Sequence, residues 1–490
     1  MLSDLLDLLK LYGLLNPEIG ELAYHVGKLL IFLNKYCQEI QWYNSYVSRW
    51  TNIVFQRYLG FQLMSKTVLY QTIKQQYKEV VNFFSSVLFD KYEAFKHLVN
   101  FKKYLLMESN DFIEALFEKG SEVLDEPSSS LTLGQLSLIL TDAINALSVF
   151  REDLKYRLDA RLLDLSSGNI GWEVFTVEYK IGNLALEPAL HKSVVGYFKM
   201  FNFLWKLRSI NFHLNKGSRN TGVLYKTDLK QVRKRVNRLK HSISKDPDYL
   251  VSAKDSHNIW IIQSIKIITI IQHRMVTFFN RIIEYLLYEI IETSFREIIE
   301  KSIFRAPGQH LRIGGVQSKV YDTVFEPKNE FMQKLRQKIT TGSNYKLVEI
   351  RTNEFNMDQF MGLHEHYLES IVKCKLLDEQ VIGKRSREPF IDQIYEMLDL
   401  AFAFVKSTEE FESLTSKYYA LVNLDENNHQ DQYNPEQFDD DMLEIEQTMR
   451  GMMSRIKNVI YMHEFEPRIE NLAKDMTSTL EFKELGRLLG

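Results

Sequence analysis

Residues 253–303 read AKDSHNIWIIQSIKIITIIQHRMVTFFNRIIEYLLYEIIETSFREIIEKSI. The part from Ile259 to Ile291 is the most apolar stretch of the chain, and its apolar residues recur at spacings of three and four. That is the period of one face of a helix. A helix of some fifty residues reaches roughly 75 Å. Lys266, His273, Arg274, Arg281, Glu284 and Glu289 interrupt the run. A bilayer span of about 20 residues tolerates few such charges. The stretch therefore predicts one very long core helix with a polar edge, no membrane insertion and an elongated molecule.

The same period continues outward in both directions. Helices are predicted over 4–15, 20–58 and 65–88. Residues 89–120 divide into two helical stretches near Ser109–Asn110, either of which could cap the second, because Asp111 follows in its first turn. EPSSS (126–130) reads as a loop and 131–165 as helix again. SSGNIG (166–171) is a turn cluster. WEVFTVEYKI (172–181) alternates large apolar and polar residues, the one good strand signal in the chain. Pro188 can open the next helix, over 189–215, and Lys226–Lys245 is a basic helix. Pro307–Lys346 breaks the pattern with Gly308, Gly314, Gly315 and Gly342 and reads as an irregular insertion. Helices are predicted at 357–383 and 388–424, then an acidic loop at 425–441 and a helical hairpin at 442–489. The predicted fold class is all-α, an elongated array of helical bundles with one short strand-like segment.

Composition narrows the function classes. Net charge is −3, which gives no bulk attraction to nucleic acid. Two cysteines, Cys37 and Cys374, exclude a disulfide framework and fit a reducing compartment. The start, MLSDLLDLLKLYGLL, lacks the basic segment and small-residue cleavage site of a secretory leader.

Catalytic signatures are missing. IGKRS (382–386) contains Gly-Lys, but Asp378 stands where a phosphate-binding loop needs glycine. GxSxG, GxGxxG and HExxH do not occur. HEH at 364–366 places His364 and His366 about 200° apart on a helix, so they cannot share a metal. They are expected to be solvated or at the edge of the core, and Cys374 lies two turns further on. Asp439–Asp441 lacks the glycine and distal glutamate of a calcium loop. The expectation is no enzyme, no metal and no cofactor.

One charged patch stands out. Lys226, Lys230, Arg233, Lys234, Arg235, Arg238 and Lys240 accompany a thin apolar seam of Val232, Val236 and Leu239. The plain reading is a solvated helix face; the sharper one is a docking surface for an acidic partner. A second basic edge is Lys384, Arg385 and Arg387, just before Pro389.

Four segments carry a resemblance. FKKYLLMESNDFIEALFEK (101–119) has Tyr104, Leu105, Asp111, Phe112 and Ile113. RLDARLLDLSSGNIGWEVFTVEYKIGNLAL (157–186) has Arg157, Leu158, Asp159, Arg161 and Leu162, then Gly171, Trp172, Phe175 and Tyr179. YFKMFNFLWKLRSINFHL (197–214) has Tyr197, Phe201, Phe203, Leu204, Trp205 and Arg208. MDQFMGLHEHYLESIVKCKLLD (357–378) has His364, Leu368, Ile371, Cys374 and Leu377. In this order and spacing they resemble the C-terminal domain of gamma-tubulin complex components, most of all the component 3 class, the spindle pole body component class of yeasts. AYHVGKLLIFLNKYC (23–37) resembles only the end of the family's N-terminal domain, and Phe295 stands where the family pattern has Trp.

The resemblance implies two helical domains. Residues 1–89 would be the remnant of the N-terminal, lateral-contact domain, most of which lies outside these 490 residues. Residues 90–490 would be the gamma-tubulin-binding domain. Implied partners are gamma-tubulin, component 2 class subunits and spindle pole body receptor proteins. The implied setting is the cytoskeleton of the cytoplasm, at the spindle pole body or microtubule-organizing centre on its nuclear or cytoplasmic face. The implied role is microtubule nucleation for the mitotic spindle. Tyr104, Asp111, Phe112, Trp172, Phe175, Tyr179, Phe203 and Trp205 are expected to be mostly core, and the gamma-tubulin contact is expected at Lys230, Arg233, Lys234, Arg235, Arg238, Lys384, Arg385 and Arg387. A helical vesicle-tethering scaffold shares the rods and the neutral charge but does not account for the four ordered motifs.

Overall fold

The computed structural model describes residues 17–58, 66–147, 152–163, 170–183, 185–190, 193–245, 252–300, 357–426, 435–479 and 482–490. The helix predicted at 4–15, most of the 166–171 turn and the 307–346 insertion lie outside them. Among the described residues the protein is an all-α array with one two-stranded antiparallel sheet.

The chain opens with α1 (Pro17–Lys35), α2 (Ile40–Tyr58) and α3 (Lys66–Ser86). The single helix expected over 20–58 is therefore two. Gln38 sits at φ 55°, and the amide of Glu39 reaches back to the carbonyl of Leu33 at 3.0 Å. A left-handed residue ends a helix whether or not it is glycine. Tyr92 secures this corner by donating its hydroxyl to the carbonyl of Cys37 at 3.1 Å.

Helix α4 (Ala94–Asn100) runs into a π-type turn, Phe101–Leu105, and α5 (Asn110–Leu124) follows. Ser109 does occupy the N-cap position of α5, but its side chain makes no capping bond. The corner is held from outside: Arg208 donates to the carbonyl of Met107 at 3.3 Å and to Asn110 Oδ1 at 2.9 Å, with Met107 at φ 55°. Helix α6 (Leu133–Asn145) starts on a reciprocal capping box between Thr132 and Gln135.

The helix expected over 131–165 then ends early. After α7 (Glu152–Arg157), Leu158–Leu162 is a strand, β1, paired antiparallel with β2, Phe175–Tyr179. Leu158 faces Tyr179 and Leu162 faces Phe175. Leu158 and Ala160 are buried while Arg161 is exposed, the alternation of a half-buried strand. A lone strand at 175–179 would leave its backbone unpaired, so its hydrogen bonds recruit the 158–162 segment. Gly171–Val174 is a helical turn, so the strand is shorter than the 172–181 alternation.

The spine is α8 (Val194–Lys226) and α10 (Ala253–Glu284), with the basic helix α9 (Lys230–Lys245) between them in sequence. A helical turn at Glu187–Leu190 precedes α8. The rod of α10 continues through π-type turns, Tyr285–Glu292 and Phe295–Glu300. Then come α11 (Met357–Val372), α12 (Phe390–Glu426), α13 (Pro435–Ser454), a π-type stretch Arg455–Phe465, α14 (Glu466–Thr477) and α15 (Lys483–Leu489). Of the acidic loop expected at 425–441, both ends are helical, since α12 extends to Glu426 and α13 begins at Pro435, so Asp439–Asp441 is helical backbone; 427–434 lie outside the described residues. The helix expected over 357–383 stops at Val372 and gives way to turns.

Side-chain pairs fix the directions. Asn211 donates to Asn280 at 2.8 Å, and the backbone of Gly217 closes on the Gln272 side chain, so α8 and α10 are antiparallel. Phe203 meets Tyr395 edge-on and Thr221 meets Glu412, so α12 runs parallel to α8. Arg450 lies over Trp260, and Phe465 meets Phe278, so the 435–465 rod runs parallel to α10. Together they bury one continuous core.

Candidate functional site

The family motifs converge on the N-terminal half of α8. Trp172 Nε1 donates to Asp125 Oδ1 at 2.7 Å, and Trp205 Nε1 donates to the carbonyl of Trp172 at 2.8 Å. Phe117 packs against both indoles, and Phe175 packs on Trp205 at 4.8 Å. Tyr104 meets Phe112 edge-on at 5.2 Å, and Phe203 is buried against Tyr395. The Tyr179 hydroxyl accepts from Asn100 Nδ2 and shares a hydrogen bond with His97 Nδ1, both at 3.0 Å. Asp111 differs from these residues: it is exposed, in the first turn of α5.

His364 departs from its expected solvated or edge position. It is fully enclosed between Ser193 Oγ at 3.0 Å and the Tyr197 hydroxyl at 2.9 Å, with Phe101 stacked beside it. Burial pushes its pKa down to about 3, so it is a neutral core group joining α8 to α11. His366 is exposed on the other side of α11. Among the described residues no group of three or more histidines, cysteines and carboxylates could hold a metal, and no helix is long and apolar enough to cross a membrane.

The first basic surface is α9. Val236 and Leu239 are buried and Val232 is half-buried, so the apolar seam faces the bundle. Lys230, Lys234, Arg238 and Lys240 are exposed. Arg233 and Arg235, both expected contact residues, are engaged within the chain. The Arg233 guanidinium lies over Tyr225 at 4.9 Å. Arg235 forms an ion pair with Asp255, Nε to Oδ1 at 2.7 Å. Asp255 is in the first turn of α10, where its backbone N–H donates to the Ser252 Oγ cap at 3.2 Å and its negative charge suits the helix N-terminus. Arg235 thus ties the basic helix to the start of the spine.

The second surface is the turn 382–389. Asp475, buried in α14, accepts from Arg385 N at 2.8 Å, Ser386 N at 3.1 Å and Ser386 Oγ at 3.0 Å. Gln393 Nε2 donates to Ser386 Oγ at 2.8 Å and to the carbonyl of Glu388 at 3.1 Å. Gly383 has no room for a side chain, since a Cβ there would lie 2.5 Å from Asp475 Oδ2. Arg387 takes φ 59°, and Ile382 bridges Pro389. The result is a short fixed loop with Lys384, Arg385 and Arg387 exposed and in no ion pair with another described residue.

The two surfaces are not brought together. Arg235 marks the Asp255 end of α10. The 382–389 turn leads into Phe390, which touches Phe482, which touches Tyr285. From residue 255 to residue 285 a helix rises about 45 Å. The serine–aspartate cap of α10 was available in the sequence as Ser252 and Asp255. The Asp475 clamp was not, because the partners are some 90 residues apart.

Residues 95–484 match the family described as Gamma tubulin complex component C-terminal. The chain is 26% identical over 432 residues to spindle pole body component SPC98 of Saccharomyces cerevisiae, covering 83% of this chain and 47% of that one. It is 28% identical over 289 residues to spindle pole body component alp6 of Schizosaccharomyces pombe, covering 58% and 30%. It is 30% identical over 144 residues to human gamma-tubulin complex component 3, covering 29% and 16%. The chain thus spans about half the length of the budding-yeast relative. With the family match running from α4 to α15, the chain belongs to the gamma-tubulin complex component family and resembles its component 3, or spindle pole body component, class.

Proposed function

We propose that this chain holds gamma-tubulin and serves as a scaffold for microtubule nucleation at the spindle pole body or microtubule-organizing centre. The observation that carries this reading is the family match over 95–484, which takes in the core of aromatic motifs and both basic surfaces. Residues 90–490 are the gamma-tubulin-holding part, and 1–89 are the remnant of a lateral-contact domain. The partners are gamma-tubulin and component 2 class subunits, with spindle pole body receptor proteins as the attachment. The protein works by position, not by catalysis: fixing gamma-tubulins side by side raises their effective concentration and lowers the ordering cost of the first tubulin layer.

An acidic partner of the tubulin kind fits the exposed cations of α9, namely Lys230, Lys234 and Arg238, with Arg233 and Arg235 shaping that face. Lys384, Arg385 and Arg387 serve a contact about 45 Å along the spine. The test is a pull-down in which the immobilised folded chain is offered purified gamma-tubulin. Retention supports the reading; gamma-tubulin in the flow-through at micromolar concentration rejects it.

A further inference from the structure

The loop at 382–389 carries an unusual charge arrangement. Asp475 is a buried carboxylate with no cation beside it among the described residues; its charge is met by two backbone N–H groups and one hydroxyl. The hydroxyl belongs to Ser386, which is half-buried. Around it, Lys384, Arg385 and Arg387 are all exposed, with Glu388 as the nearest acid in sequence. A serine flanked by cations on both sides is the pattern that a basic-directed kinase reads through its own acidic groove.

We propose that Ser386 is a phosphoacceptor for a basic-directed serine/threonine kinase, and that its phosphate unlatches the 382–389 loop from Asp475. The kinase transfers the γ-phosphoryl group of ATP. The bond from Ser386 Oγ to phosphorus forms, the bond from that phosphorus to the β–γ bridging oxygen breaks, ADP leaves, and the hydroxyl proton passes to the kinase's base. In the closed loop the oxygen is committed, donating to Asp475 Oδ2 and accepting from Gln393 Nε2. The kinase therefore acts on the transiently opened loop.

Closure is then blocked for two reasons. The hydroxyl that donated to Asp475 is replaced by a group of about −1.5 to −2 charge, within a few ångströms of a buried carboxylate that lacks a cation. In the open loop the same phosphate can be gripped by Arg385 and Arg387, whose guanidinium groups are exposed. Phosphorylation so converts an inward clamp into an outward one. The backbone bonds from Arg385 and Ser386 to Asp475 and the Ile382–Pro389 bridge would be lost together.

The test treats the full chain with ATP and the catalytic subunit of a basic-directed kinase, locates phosphate by mass spectrometry, and follows hydrogen exchange over 382–389. The expected result is phosphate on Ser386, with exchange there faster by about tenfold or more. Exchange over β1 and β2 should be unchanged. Ser386→Ala should take no phosphate at 386 and should keep most of the loop's protection, since the backbone donors remain. Two outcomes overturn the proposal. One is an unlabelled Ser386 in the folded chain while the free 380–391 peptide is labelled. The other is a phosphorylated chain whose loop exchanges at the unmodified rate.

Discussion

Single residues decide whether the bundle stays closed. Trp205 closes the aromatic cluster and hydrogen-bonds the carbonyl of Trp172. Replacing it with alanine opens a cavity and strands that carbonyl. Trp205→Ala should lose about 3–5 kcal/mol in urea unfolding, and a loss under 1 kcal/mol would show that the cluster is not a core. The buried histidines give a pH signature. Burial pushes His364 down to about 3; burial, then the neighbouring Arg157 charge, pushes His97 down to about 4. The unfolded chain protonates both below about pH 6.5 while the folded one does not. Their contribution is therefore complete above pH 6.5 and is lost as pH falls toward the folded values. Stability should drop between pH 6.5 and 5 by about 1.4 kcal/mol per pH unit for each histidine. His364→Gln should remove one proton's worth of that slope; an unchanged slope would contradict the assignment.

At the scale of elements, α9 separates structural from available charge. Lys230 and Lys234 are exposed and in no ion pair with another described residue, whereas Arg235 is paired with Asp255 at the start of α10. Lys230→Glu with Lys234→Glu should weaken gamma-tubulin binding by roughly tenfold at low salt and flatten its salt dependence. Stability should be unaltered. Arg235→Glu should instead cost about 1 kcal/mol of stability by setting two carboxylates together. A lysine variant that binds as tightly as the unaltered chain, with the same salt dependence, would remove α9 from the interface.

The same elements show what periodicity carries. The rod from Ala253 to Glu300 was legible because burial writes its apolar residues at helical spacing along the whole length. β1 was not, since Leu158, Ala160, Arg161 and Leu162 are all good helix formers. Only its pairing with Phe175–Tyr179 makes it a strand. The corner at Gln38 has neither glycine nor proline to mark it. The cations of 384–387 were visible as charges, but the loop that fixes them depends on Asp475, far away in sequence.

At the scale of the molecule, α8, α10 and α12 form a long packed frame, with the basic helix near one end of α10 and the clamped basic loop by the other. A frame of this kind suits a protein that fixes a partner in space. On the function proposed above, each chain holds one gamma-tubulin. Size-exclusion chromatography with light scattering on the folded chain mixed with purified gamma-tubulin tests it most directly. The expected result is one peak whose mass is that of one chain and one gamma-tubulin. Two separate peaks, each at the mass of its own component, would contradict it.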